Sequence, residues 1–211
     1  MVRVPDLERW SQPVVYPIGT TLFREGNEVA TLRVLTSGVV KICVSKDGHD
    51  LLVGVRTAGR VLGATSAILG DPQLATAVAI TACELRTLSF REFHAFRTSS
   101  PDVAGWLLDQ FAREIRDQHK RARALASGRL EAHLRWLIVY VFRAAHVERR
   151  DGSLRLGFPL NVTEIAEWMG VTRPPVSALL TRLRRQGVLV RDHDWWVLPA
   201  DSPWLAEVRT L

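Results

Sequence analysis

The segment Leu160–Leu183 constrains this chain more than any other. Ile165, Ala166 and Met169 recur at the spacing of one helical face. Thr163 is the expected N-cap, with Glu164 and Glu167 early, where the positive helix end favours carboxylates. Gly170 adopts left-handed backbone without a Cβ penalty and ends that helix. Val171 is expected to plug the gap before a second helix, which Thr172 caps and which carries Val176, Leu179, Leu180 and Leu183 on one face. Pro174 and Pro175 would cost roughly 3 kcal/mol in a helix interior. A cap at Thr172 puts them in the first turn, where N–H groups have no intrahelical partner anyway. Arg173 precedes a proline and is biased toward extended backbone, so the start falls at Thr172 or slips to Arg173 or Pro174.

This is a helix-turn-helix pattern, which an ordinary helical hairpin in a core can share. The residues C-terminal to it separate the two possibilities. Gly187 ends the second helix, Val188–Val190 reads as a strand, Asp192-His193-Asp194 as a polar turn, and Trp195–Leu198 as a second strand. A two-stranded wing directly after the second helix makes a winged helix-turn-helix, a unit that lays that helix in the major groove of DNA.

Charge is distributed accordingly. The net charge is +6 and the isoelectric point about 10.1. Acidic and basic residues balance at 11 each up to Phe111, while Ala112–Arg150 carries ten basic residues against four acidic. Most of that excess reads as the solvated face of a long helix. Within the helix-turn-helix, Arg173, Arg182, Arg184 and Arg185 cluster as a phosphate-binding set would. The two cysteines, Cys43 and Cys83, sit in apolar stretches and read as inert buried thiols. The N-terminus has no signal-peptide apolar region, and the longest apolar run, Trp136–Phe142, is too short to span a bilayer. The expected location is the cytoplasm. No paired acids, nucleophile–base set or metal spacing appears, so an enzyme is not expected.

The expected fold class is α+β. Tyr16–Ser89 alternates short apolar runs with glycines, as a small β-barrel or roll does. Its expected strands are Leu32–Leu35, Val39–Val44, Leu51–Val55, Ala75–Ile80 and Glu84–Leu88, with a hairpin turn at Lys46-Asp47-Gly48-His49. Arg91–Arg97 is a short helix. Pro101 then opens a long one whose seam, Leu108, Phe111, Ile115, Gln118, Ala122 and Leu125, has heptad spacing. The seam is read as a parallel two-helix dimer contact, and the stripe Val103, Trp106, Leu107 as packing on the roll. Ser127-Gly128 breaks the helix as a hinge, and a third helix covers Leu130–Ala145. The expected domains are a roll over 1–98, a dimerisation helix over 99–127 and the winged unit over 128–211.

In this order the chain resembles the Crp/Fnr superfamily of bacterial transcription regulators. The segments that carry the resemblance are Tyr16–Asn27, Ser37–Lys41, Lys46-Asp47-Gly48, Thr163–Ala166 and Thr172-Arg173 through Val176-Ser177. The resemblance implies a homodimer on a pseudo-palindromic operator. It also implies that Arg173, Pro174, Ser177 and Ala178 face bases, and that Thr163, Thr172, Thr181, Arg182 and the wing at His193 face phosphates. The segment His146–Pro159, read as a loop, would face RNA polymerase. The chain also departs from the family pattern. Cyclic-nucleotide-binding members hold ribose with a Gly-Glu pair and phosphate with an Arg-Ser or Arg-Thr pair; here those positions read Gly63-Ala64 and Gln73-Leu74. An unpaired phosphate charge in such a pocket is costly, which argues against cAMP. The absence of cysteines before Cys43 argues against an iron–sulfur cluster. A haem or another small molecule stays open as effector, near Gly63, Ala64, Gln73, Leu74, Gln118 and His119. Gln118 reads first as a register residue and His119 as a solvated one. The alternative function is a small-molecule- or haem-sensing, protein-interacting module with weak or no specific DNA binding. On the DNA side, Pro174 replaces a family Glu that accepts from cytosine, and Ala178 a common arginine, so the half-site of the catabolite activator is not expected.

Overall fold

A computed structural model describes Val4, residues 9–46 and residues 49–210. The expected hairpin turn at Asp47-Gly48 lies outside them. The described residues form two compact units, one running to Ser45 and resuming over Leu52–Asp117, the other built on Gln118 onwards. That division falls within the long helix, whereas the sequence sets 99–127 apart as a segment of its own.

The first unit is a β-roll of two four-stranded antiparallel sheets. One sheet orders β1 (Val14–Tyr16), β8 (Cys83–Ser89), β3 (Thr31–Ser37) and β6 (Val61–Leu62) as β1-β8-β3-β6. The other orders β2 (Thr21–Phe23), β7 (Thr76–Ala79), β4 (Val39–Lys46) and β5 (His49–Thr57) as β2-β7-β4-β5. Strand side chains alternate between faces, so Leu35, Val40, Ala77, Ala79 and Leu85 turn inward and are fully buried in one cluster. Gly38 makes the tight link from β3 to β4 with φ of 92°; a Cβ there would lie 2.3 Å from the Ala82 carbonyl oxygen, so no other residue fits.

A second cluster joins the roll to its helices. Leu32, Val34 and Leu88 pack with Phe93 and Phe96 of α2 (Phe90–Ser99) and with Val103, Trp106 and Leu107 of α3 (Pro101–Ala126). The Val103-Trp106-Leu107 stripe thus packs on the roll as its spacing predicts. Ser89 and Glu92 start α2 with a capping box, each side chain answering the other's backbone N–H. A further helix, α1 (Ala64–Leu69), sits between Gly63 and Gly70, where the sequence suggests only glycine turns. Six residues are too few for helical periodicity to register.

The second unit packs α4 (Leu130–Ala144), α5 (Val162–Met169), α6 (Arg173–Arg185) and α7 (Leu205–Arg209) with a four-stranded antiparallel sheet. That sheet orders β11 (Val190–Asp192), β12 (Trp195–Leu198), β10 (Leu154–Leu156) and β9 (His146–Glu148) as β11-β12-β10-β9. The wing is therefore half of a larger sheet. This corrects the reading of His146–Pro159 as a loop: β9 and β10 form a hairpin within it. Asp151-Gly152 turns that hairpin, with Gly152 at φ of 79° and the Asp151 carboxylate accepting from the Ser153 N–H and hydroxyl at 2.9 and 2.6 Å. Trp196 is buried and donates its indole N–H to the Leu160 carbonyl at 2.7 Å, fastening the sheet to the entry of α5.

Candidate nucleic-acid interface and roll cavity

Helix α5 begins two residues earlier than its apolar pattern suggests. Asn161, not Thr163, is its N-cap: Asn161 Oδ1 accepts the Glu164 N–H at 2.9 Å and Glu164 accepts the Asn161 N–H at 2.8 Å. The reason is the partner three residues on. Asn161 has Glu164 there, which can return the bond; Thr163 has Ala166, which cannot. Thr163 is instead a first-turn residue of that helix. Gly170 ends the helix in left-handed geometry, its N–H reaching the Ala166 and Glu167 carbonyls. Trp168 joins Ile165, Ala166 and Met169 on the buried face. Val171 is 37% exposed, so it does not plug the turn.

Helix α6 runs Arg173–Arg185 with Thr172 at the N-cap position, as the sequence suggests, but the Thr172 hydroxyl makes no cap bond. An N-cap side chain bonds the N–H of the second or third helical residue. Those residues here are Pro174 and Pro175, which have none. The prolines thus start the helix and remove the donors a cap would use. Val176, Leu179, Leu180 and Leu183 are buried. The opposite face is open: Arg173, Pro174, Ala178, Thr181, Arg182, Arg184 and Arg185 are exposed or partly so, and Ser177 is half-buried.

The open residues differ in what already holds them. Thr181 donates its hydroxyl to the Ser177 carbonyl at 2.9 Å. Arg182 pairs with Glu131 of α4 at 2.6 Å, so its guanidinium is tied back to the protein's own carboxylate. Arg184 and Arg185 line a shallow depression with Thr181, Val190 and Arg191. Sequence reasoning passes over Arg191; it lies on the wing strand β11, over the Trp196 ring at 5.0 Å, with its Nε donating to the His193 carbonyl at 3.0 Å. The signal for it is the alternation Val190-Arg191-Asp192, which places one arginine beside the end of α6. His193 sits at the wing tip with φ of 55°, its ring 2.9 Å from Asp192. Arg149, at 2.5 Å, then His193, hold the Asp192 carboxyl below the usual carboxylate range.

The roll holds a cavity of about 210 Å3. Gly63, Ala64, Gln73 and Leu74 line it, with Phe23, Ile42, Val53 and Leu62 among the apolar neighbours. From α3 it takes Gln110, Phe111 and Glu114; Gln118 and His119, further along that helix, are not among its described lining residues. The Gln73 amide lies over Gly63, 3.0 Å from where a Cβ would stand. Arg56 of β5 pairs with Glu114 at 2.6 Å, and Arg60 donates to Gln110 at 3.0 Å. On the outer face of α3, Leu108, Ile115 and Leu125 are 69, 56 and 48% exposed, large apolar side chains open on one stripe.

Comparison with known proteins places these features. Residues 13–100 match the model of the cyclic nucleotide-binding domain, and residues 128–201 that of the Crp-like helix-turn-helix domain. The CRP-like cAMP-activated global transcriptional regulator of Mycobacterium tuberculosis is 27% identical over 206 residues, covering 96% of this chain and 90% of that protein. The cAMP-activated global transcriptional regulator CRP of Salmonella typhimurium is 24% identical over 182 residues, covering 82% of this chain and 83% of its own. Among solved structures, the c-di-GMP responsive regulator CLP of Xanthomonas campestris superposes with a TM-score of 0.75 at 21% identity, over 92% of this chain and 95% of that one. FixK2 of Bradyrhizobium japonicum gives 0.72 at 18%, over 95 and 98%. At those identities the structural likeness is one of fold.

Proposed function

The chain belongs to the Crp/Fnr superfamily of transcription regulators, and we propose that it acts as a homodimer that reads a pseudo-palindromic operator without a cyclic nucleotide. The observation that carries this reading is α6. Its apolar face is fully packed while Arg173, Pro174 and Ala178 stand open on the other, beside Arg184, Arg185 and Arg191. An arginine at the start of a recognition helix suits the O6 and N7 acceptors of guanine. Pro174 offers no acceptor to cytosine, and Ser177 and Ala178 supply a hydroxyl and a methyl. Arg184, Arg185, Arg191, Thr172, Thr181, Thr163 and His193 are the phosphate candidates. Arg182 joins them only if it leaves Glu131.

Three further parts of the reading rest on separate features. The exposed stripe Leu108, Ile115, Leu125, with Phe111, Gln118 and Ala122 between, has the spacing of a helix that pairs with a second copy of itself. The named relatives are cAMP-activated, but the residues here at the ribose and phosphate positions, Ala64, Gln73 and Leu74, provide no carboxylate, cation or hydroxyl. Such a regulator works in the cytoplasm, and by resemblance its β9–β10 hairpin is the segment that would face RNA polymerase.

Selection of bound sequences from a random DNA pool tests the proposal. The expected product is a symmetric site whose half-sites lie about one helical turn, roughly 10 base pairs, apart. No enrichment, or an asymmetric site, would sink it.

A further inference from the structure

We propose that α6 reads thymine by its 5-methyl group, which the Pro174 ring and the Ala178 methyl receive beside the guanine taken by Arg173. Each base shows its own pattern in the major groove: guanine the O6 and N7 acceptors, cytosine the N4 donor, adenine the N7 acceptor with the N6 donor, thymine the O4 acceptor with the methyl. Each pattern asks for a different side chain. Adenine takes the paired donor and acceptor of Asn or Gln, and cytosine the carboxylate of Asp or Glu. Residues 173–181 of α6 contain none of these four residue types. The backbone supplies no substitute donor there, because Pro174 and Pro175 have no N–H. Ser177, half-buried beside them, suits any base and sets no preference.

What the exposed face does offer is carbon. Pro174 and Ala178 are both exposed and stand at i and i+4, neighbours on one side of the helix. The packing of the unit does not use them, since Val176, Leu179, Leu180 and Leu183 fill the buried side. The pair is also stiff. Proline and alanine have no side-chain rotamers to freeze, so covering them costs no side-chain entropy. Among the four bases only thymine presents a methyl to meet them. Cytosine in its place would turn its amino group toward a ring and a methyl that cannot accept from it, a donor stripped of water without a partner.

This inference rests on the reading of α6 as the helix that faces the bases of an operator. The full chain is titrated with the duplex selected from the random pool, and with a series in which each thymine of one half-site in turn is replaced by deoxyuridine. Deoxyuridine keeps the O4 acceptor and the pairing and lacks only the methyl. At one thymine within about two base pairs of the guanine, its loss is expected to weaken binding about fourfold, the worth of one buried carbon. Pro174→Ser replaces the ring with a hydroxyl and is expected to cut that difference below about twofold while the guanine preference stays. A difference that arose from the duplex alone would survive the substitution. The proposal is overturned if no deoxyuridine weakens the unaltered chain more than about twofold, a result that needs no variant to fold. It is equally overturned if Pro174→Ser, with its circular dichroism unchanged, keeps the full difference. A pool that yields no symmetric site removes the operator and this inference together, whereas a symmetric site indifferent to its thymine methyls removes the inference alone.

Discussion

Arg173 and Arg184 share a helix and a charge, and the proposed function gives them different work. Arg173 is the first residue of α6, and Arg184 lies in its last turn beside Arg185 and Arg191. Arg173→Ala is expected to remove about 1–3 kcal/mol of discrimination at one base pair, while Arg184→Ala weakens all sequences alike and lowers the salt slope by about 1. Binding to the selected site and to scrambled DNA across a salt series distinguishes them; equal, small effects would refute both roles. A second residue sets a pH dependence. His133 is 6% exposed on α4, and burial, then the Arg121 guanidinium, holds its pKa below 6.5. The fold therefore disfavours the protonated imidazole relative to the unfolded chain. As pH falls through about 6.5 the unfolded chain takes up a proton first, so stability is lost on acidification and is untouched above that point. His133→Gln should flatten the fall in melting temperature between about pH 6.5 and 5; an unchanged slope would exclude His133 as its source.

At the scale of elements, short pieces hold the second unit together. The Asn161 capping box orders the first turn of α5, and Asn161→Ala should cost about 1 kcal/mol, read as a lower denaturation midpoint of the full chain. Thr163→Ala, two residues inside the helix, should cost much less. The contrast shows where sequence reasoning works and where it stops. Helices α3, α4 and α6 are legible because each repeats an apolar spacing for three turns or more. The N-cap is also legible in principle, since Asn161 and Glu164 stand in the required spacing, but Thr163 lies nearer the apolar run and masks it. β9 and β10 have three residues each, too few to show alternation. Asp151-Gly152 is their one signal, the same dipeptide that suggests a turn at Asp47-Gly48. The cavity's polar partners are not legible at all. Nothing in the sequence ties Arg56 to Glu114, or Arg60 to Gln110; those pairs exist only because β5 and the turn after it meet α3 in the roll.

For the molecule as a whole, the proposed pairing of two copies runs along the long helix. Three large apolar side chains stand open on one stripe of α3 while Val103, Trp106 and Leu107 on the other are buried in the roll. Ile115→Glu should leave the fold and its circular dichroism unchanged, shift sedimentation from two copies to one, and weaken operator binding by orders of magnitude. A variant that still sediments as a pair would rule out this seam. The stripe has a consequence for dosage. If a pair is what grips the operator, occupancy at low abundance rises with the square of the chain's concentration, so halving its synthesis cuts occupancy about fourfold. A short row of leucine and isoleucine on one helix would thereby give the regulated genes a threshold in the supply of their own regulator.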